Sequence, residues 1–246
     1  MIELILRTAS LFMLSAIAFS MNARTYLVSV GIADYSGYPA KTENLSLTAK
    51  DAQTIANLYA ANTPVDYSLL IDADATHDKI LKSITKVFDM ASEDDIVVFF
   101  FSGHGYAGGI CSYDGIVSYK EIRKAMSQSK SKNKMMFVDA CKSGGIRVDK
   151  TVEASDTTEA RKANVLLFLS SRTDESSLER ASMQNGFFTT YLKQGLQGEA
   201  DANGDKTITA KELFMFVSQG VRELSNDKQH PVMWGNFSHD MPVMAW

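Results

Sequence analysis

The apolar positions of this chain fall into short dense runs separated by longer amphipathic stretches. The dense runs are TYLVSVGIADY (25–35), YSLLID (67–72), DIVVFFF (95–101), KMMFVDA (134–140) and NVLLFLSS (164–171). Their length and their bounding turn residues predict strands, and the unbroken run 95–101 predicts a strand buried on both faces. Between them, 45–61 places Leu47, Ala52, Ile55, Ala56 and Leu58/Tyr59 at helical spacing. The stretch 75–91 predicts an amphipathic helix with Thr76 as N-cap, and 118–129, 186–196 and 210–224 predict three more. Strands that alternate with helices imply an α/β fold: a mainly parallel central sheet with helices on both faces.

Two stretches break the alternation. Residues 147–164 are polar, without apolar period or strand signal, and predict an exposed linker loop. A solvated helix through 157–163 fits the local pattern equally well. The loop divides a larger front part (24–146) from a smaller back part (165–246). At the other end, residues 1–23 carry Arg7, an apolar run from Ala9 to Phe19, and small residues Ala18 and Ser20. The run falls short of the ~20 residues that cross a bilayer. It predicts a secretory signal cut near Ser20 or Ala23, hence a periplasmic or secreted protein. An uncleaved anchor helix is the alternative.

Composition adds little beyond this. The chain of 246 residues is 45% hydrophobic and 22% charged, enough for one sizeable core or two small ones. A net charge of −4 offers no basic surface for tracking nucleic acid. The two cysteines, Cys111 and Cys141, are too few for a disulfide scaffold, although one disulfide is open to an exported chain.

The chemistry gathers at strand ends. In open α/β sheets, ligands bind beyond the carboxyl ends of strands. His104 follows the strand 95–101 and Cys141 follows 134–140. If those strands are neighbours, under ~5 Å apart, both side chains share one crevice. A lone thiol, with a pKa of ~8.5, is a weak nucleophile at neutral pH. An imidazole beside it takes its proton and later returns one to the leaving amine. The backbone N–H groups of Gly105 and Cys141 are candidate oxyanion donors. Asp139 and Cys141 are alternate residues of one strand and face the same side. The bland alternative is a loop histidine and a buried structural cysteine, unrelated to each other.

FFFSGHG (99–105) followed by FVDACKSGG (137–145) resembles the caspase-like cysteine peptidases, in particular the metacaspase and bacterial caspase-homologue branch. Flanking stretches such as YLVSVGIADY, AKDAQTIANLY and QHPVMWGNF extend the resemblance over nearly all the chain after the leader. It implies a caspase-hemoglobinase fold and a Cys141–His104 dyad, His104 being oriented by a backbone carbonyl. It also implies an acidic primary specificity pocket formed by Asp139 and Asp51, selecting Arg or Lys before the scissile bond. Ser170 and Ser171 would form the pocket's other wall. A strand-end acceptor for Asp139, an exposed helix acid for Asp51 and an ordinary turn for the serines are the structural alternatives. Members of the family commonly carry His after the nucleophile, where this chain has Lys142. Cys111 reads as a bystander on the loop after His104. Basic residues Arg147, Lys150, Arg161 and Lys162 make the 147–164 loop a candidate for self-cleavage.

The stretch DANGDKTITAKE (201–212) nearly matches a calcium loop, with Asp201, Asn203, Asp205, Thr207, Thr209 and Glu212 at ligand positions. The sixth position, which needs Gly, is Lys206. A capping box, Thr209 with Glu212, explains the same residues as the start of a helix. The expected function is thus a cysteine endopeptidase acting on peptide or protein, needing no cofactor for its chemistry, with Ca²⁺ as a candidate ligand. A non-catalytic caspase-like scaffold and an exported calcium-binding module are the alternatives. No partner surface is legible.

Overall fold

The computed structural model describes residues 23–106, 108–140, 165–172, 177–178, 182–235 and 237–245. The expected leader up to residue 22, the nucleophile candidate Cys141 and the whole 147–164 stretch lie outside the described residues. The strands are β1 (Thr25–Gly31), β2 (Val65–Ile71), β3 (Ile96–Ser102), β4 (Gly105–Tyr106), β5 (Gly109–Cys111), β6 (Ile116–Ser118), β7 (Asn133–Asp139), β8 (Val165–Leu169), β9 (Thr207–Thr209), β10 (Val232–Trp234) and β11 (Pro242–Ala245). The helices are α1 (Thr48–Asn62), α2 (His77–Phe88), α3 (Tyr119–Ser127), α4 (Phe187–Gln194) and α5 (Ala210–Leu224).

Six strands build the central sheet in the order β10-β8-β7-β3-β1-β2. All neighbours are parallel except β10, which runs antiparallel to β8. This is the mainly parallel, helix-covered sheet that the alternating pattern predicts. The reason is visible in β3, whose seven residues are all buried. Val97, Phe99 and Phe101 face Ile80 and Ile84 of α2 and Ile122 and Met126 of α3. Ile96, Val98 and Phe100 face Ile55 and Tyr59 of α1, Phe188 of α4 and Val217 of α5. A strand with apolar layers on both sides needs apolar residues at every position. A buried phenylalanine of this kind stabilises the fold by about 3–5 kcal/mol over alanine.

Helix starts follow local chemistry. Thr76 accepts from the Lys79 N–H at the head of α2. Ser118 with Glu121 and Thr209 with Glu212 form complete capping boxes at α3 and α5. The 186–196 helix ends earlier than its pattern predicts, passing into a π-turn over Gly195–Glu199. Gly198 sits there at φ 115°, a conformation glycine adopts freely.

The residues after His104 correct the expectation that Cys111 lies on a loop. Residues 105–106, 109–111 and 116–118 form a three-stranded antiparallel sheet, β4-β5-β6, with Gly108 before β5 at φ 94°. Cys111 is therefore a buried residue of β5. Strands of two or three residues contain no full period, and glycines inside them read as turn formers. For the same reason, the β9–β11 pair and β10 have no signal in the pattern.

Candidate active site

Strands β3 and β7 are adjacent and parallel, and their last registered pair is Ser102 with Asp139. The ladder continues one step further, the Gly103 N–H donating to the Asp139 carbonyl at 3.2 Å. His104 follows at the carboxyl end of β3, partly exposed at the rim. Its carbonyl accepts from the Cys111 N–H at 3.0 Å, and further contacts hold the residue. Its backbone N–H donates to the Tyr35 hydroxyl at 2.7 Å, and the Tyr35 ring lies 4.7 Å from the imidazole. Its Nε2 lies 2.8 Å from the Glu43 carbonyl. A carbonyl only accepts, so Nε2 carries a proton and neutral His104 keeps its lone pair on Nδ1. The backbone carbonyl expected to orient the imidazole is thus that of Glu43, on the segment between β1 and α1.

Tyr35 is buried, and its hydroxyl donates to the Cys111 carbonyl at 3.4 Å. Burial raises the Tyr35 pKa strongly, so the phenol stays neutral. Gly103 makes this arrangement possible: a β-carbon there would lie 2.5 Å from the Tyr35 hydroxyl and 2.7 Å from Phe101 Cζ.

Asp51 of α1 and Asp139 of β7 share one pocket with His104. The pocket holds about 80 Å³ and is also lined by Leu45, Ser177, Leu178 and Gly186. Both acids are almost fully buried, at 1% and 5% exposure, so neither is an exposed surface acid. Asp51 Oδ1 accepts from Asn185 Nδ2 at 2.8 Å and the Gly186 N–H at 3.2 Å, and Oδ2 accepts from Ser102 Oγ at 2.8 Å. Asp139 Oδ2 accepts from the Thr189 N–H at 3.2 Å and Thr189 Oγ1 at 2.7 Å, and Oδ1 accepts from Ser177 Oγ. Burial first, and then the charge of Asp139, push the Asp51 carboxyl up to about 8. The two buried carboxyls repel each other when both are ionised. The front part of the chain supplies both acids. Ser102 apart, the donors named above come from the back part.

Ser170 and Ser171 lie elsewhere than expected. Both are fully buried, and their hydroxyls reach the backbone of Ala140. They brace the residue before Cys141, while Ser177, Leu178 and Gly186 supply the pocket wall. The period-two pattern cannot distinguish a hydroxyl that faces a pocket from one that anchors a neighbouring strand. Gly186, Asn185 and Thr189 carry no catalytic signature either; their cue is only the Asn-Gly step before α4. Gly105 opens β4 beside His104.

The calcium-loop residues are committed to local bonds. Asp201 accepts from the N–H groups of Gly204, Asp205 and Lys206. Asp205 accepts from the Thr207 N–H at 2.8 Å, and Asn203 Oδ1 from the Asp205 N–H at 2.8 Å. Glu212 accepts from the N–H and hydroxyl of Thr209. Lys206 takes the left-handed conformation, φ 66°, that the sixth position requires. No group of three or more His, Cys, Asp or Glu side chains among the described residues is arranged to hold a metal. A wider cavity of about 710 Å³ beside α5, lined by Phe214, Met215, Ser218 and Arg222 among others, contains none of the expected site residues that lie among the described residues.

Protein GSU0716 from Geobacter sulfurreducens superposes with a TM-score of 0.68 at 15% identity, over 90% of this chain and 97% of its own. Caspase-1 from Spodoptera frugiperda superposes with a TM-score of 0.62 at 15% identity, over 90% of each chain. At that identity the likeness establishes the fold alone. No curated protein sequence matches the chain. A caspase-domain family model matches residues 25–241, from the first strand to the end of the last loop. With that match, and a sheet carrying His104 at the end of one strand and Asp139 at the end of its neighbour, the chain belongs to the caspase-domain family of cysteine peptidases.

Proposed function

We propose that this protein is a cysteine endopeptidase that cuts peptide chains after Arg or Lys, in the manner of the metacaspase branch. The observation that carries the reading is the single pocket in which His104 meets the buried pair Asp51 and Asp139. The Ser102–Asp139 register supports the dyad. His104 stands two residues past Ser102, and Cys141 two residues past Asp139, along adjacent parallel strands.

In this reading, Nδ1 of His104 takes the Cys141 thiol proton while Nε2–H stays on the Glu43 carbonyl. The thiolate attacks the substrate carbonyl. The N–H groups of Gly105 and Cys141 hold the oxyanion, and His104 then protonates the leaving amine. The guanidinium or ammonium of the substrate enters between the two carboxylates, where low dielectric strengthens its attraction. Animal caspases accept aspartate through arginines, and no arginine lines this pocket among the described residues. The chemistry requires no metal; calcium binding at 201–212, self-cleavage within 147–164 and export by residues 1–23 are separate proposals.

The deciding experiment is a peptide-library cleavage profile of wild type, Cys141→Ala and Asp139→Ala. Cleavage after basic residues by wild type alone is the expected result. Wild-type cleavage after acidic residues overturns the specificity. Absence of any Cys141-dependent cleavage, with and without calcium, overturns the enzyme and favours a scaffold role.

A further inference from the structure

Gln229 lies between α5 and β10, with no exposed surface. Its backbone N–H donates to Ser225 Oγ at 3.1 Å, fixing it to the C-cap of α5. Its side-chain amide then spans three groups. Nε2 donates to the Ser170 carbonyl at 2.9 Å and to Ser177 Oγ at 3.3 Å. Oε1 accepts from the Leu178 N–H at 2.9 Å. Ser177 and Leu178 line the acidic pocket, and the Ser170 hydroxyl braces the backbone of Ala140. One buried amide therefore touches both the pocket wall and the support of the nucleophile's strand.

The polarity of these bonds is directional. An amide N–H can only donate, so Ser177 Oγ accepts from Gln229. The single Ser177 proton is then turned away from Gln229. It faces Asp139 Oδ1, with Ser170 Oγ at 2.6 Å as the neighbouring acceptor. The carboxyl oxygen lies closer, at 2.5 Å, and the Ser170 hydroxyl directs its own proton to the Ala140 carbonyl.

We propose that Gln229 is a positioning residue of the acidic pocket: its amide locks the Ser177–Leu178 wall to the end of β8 and aims the Ser177 hydroxyl at Asp139. The assignment rests on the reading of that pocket as the site of a basic side chain. Gln229 touches no reacting atom, so its loss acts on substrate binding before it acts on chemistry.

Gln229→Met keeps the volume and removes the three bonds. Gln229→Glu keeps the shape but sets a carboxylate against the Ser170 carbonyl and draws the Ser177 proton away from Asp139. On an arginyl fluorogenic peptide, Gln229→Met is expected to raise KM about tenfold while kcat changes far less, and Gln229→Glu to raise KM further. Alkylation of Cys141 by iodoacetamide is expected to keep its wild-type rate. Hydrogen exchange in the peptide spanning 177–178 is expected to quicken. Ser177→Ala is expected to raise KM in the same direction, which keeps the question answerable if the Gln229 variants do not fold. Unchanged KM in these variants, beside an active wild type, overturns the assignment and leaves the protease reading intact. A parallel fall in kcat, alkylation rate and melting temperature also overturns it, since that marks general loosening. If wild type hydrolyses nothing, the protease reading and the assignment that rests on it both fall, and exchange in Gln229→Met then reports only whether the amide holds the 177–178 wall.

Discussion

Asp51 and Asp139 come from different elements, yet both carboxylates lie against Gly186. A β-carbon at that glycine would stand 2.9 Å from Asp139 Oδ2 and 3.4 Å from Asp51 Oδ2. Gly186 has φ −56°, so alanine there meets no backbone strain. The penalty is steric, since overpacking of this kind costs about 1–3 kcal/mol. Gly186→Ala is therefore expected to lower kcat/KM on arginyl peptides by about 10- to 100-fold, through KM, with the fold retained. Steady-state kinetics beside a melting curve checks this. Wild-type KM in a folded variant would remove Gly186 from the pocket floor.

The raised Asp51 carboxyl links stability to pH. Its folded value, about 8, lies above the ordinary 3.8. Between those values the folded chain holds more protons than the unfolded chain, so stability falls as pH rises through the window. Asp51→Asn removes the charge that must be buried. It is expected to melt higher than wild type at pH 8–9, with the gap closing toward pH 4, at roughly 2–4 °C per kcal/mol for a chain of this size. The same variant is expected to lose affinity for arginyl substrates. For wild type, KM should fall as pH rises from 6 to 8, since the ionised pair is the form that attracts a cation. A melting difference that does not depend on pH would contradict the shift.

Much of this architecture is legible without coordinates because its signals repeat. In β3, three phenylalanines in succession require cover on both faces, and both α1 and α2 supply it. Thr76, three positions before Lys79, marks the head of α2. His104 and Asp139 are legible because each ends such a run. Glu43, by contrast, acts through its backbone carbonyl, which every residue carries, so side-chain identity gives no cue. Ser170 and Ser171 read as a pocket wall by their place at a strand end. They turn inward because Ala140 presents an N–H and a carbonyl at the end of β7, where the strand ladder has finished. Long-range pairs such as Asn185 with Asp51 are set by tertiary packing and leave no local pattern.

At the 201–212 loop, the capping box of Thr209 and Glu212 makes a separable prediction. Thr209→Ala removes the hydroxyl that accepts from the Glu212 N–H, a loss of about 0.5–2 kcal/mol. Asp201→Ala frees three backbone donors, those of Gly204, Asp205 and Lys206. Both variants are expected to melt several degrees below wild type in EDTA, and to keep wild-type kcat well below their melting temperatures. Melting curves with and without calcium check this. A deficit that appears only when calcium is present would mean that the loop is an ion site after all.

Tyr35 offers the sharpest test of how the imidazole is held. Its hydroxyl accepts from the His104 N–H at 2.7 Å, and its ring faces the imidazole at 4.7 Å. Tyr35→Phe keeps the ring and removes the acceptor. A partly buried N–H left without its partner costs about 1–3 kcal/mol, and the cheapest relief is a shift of the 103–105 backbone toward water. That shift displaces His104 from the Glu43 carbonyl and moves Gly105, an oxyanion donor in the proposed reaction. The acid pair is held by Ser102, Ser177, Asn185 and Thr189, and none of these contacts involves Tyr35. Tyr35→Phe is therefore expected to lower kcat about tenfold with KM for arginyl peptides nearly unchanged, the opposite split from Gly186→Ala. Measuring both variants on one substrate separates the group proposed to perform the chemistry from the pocket proposed to select the side chain. An equal rise in KM in the two would show that His104 and the acids are not independently held.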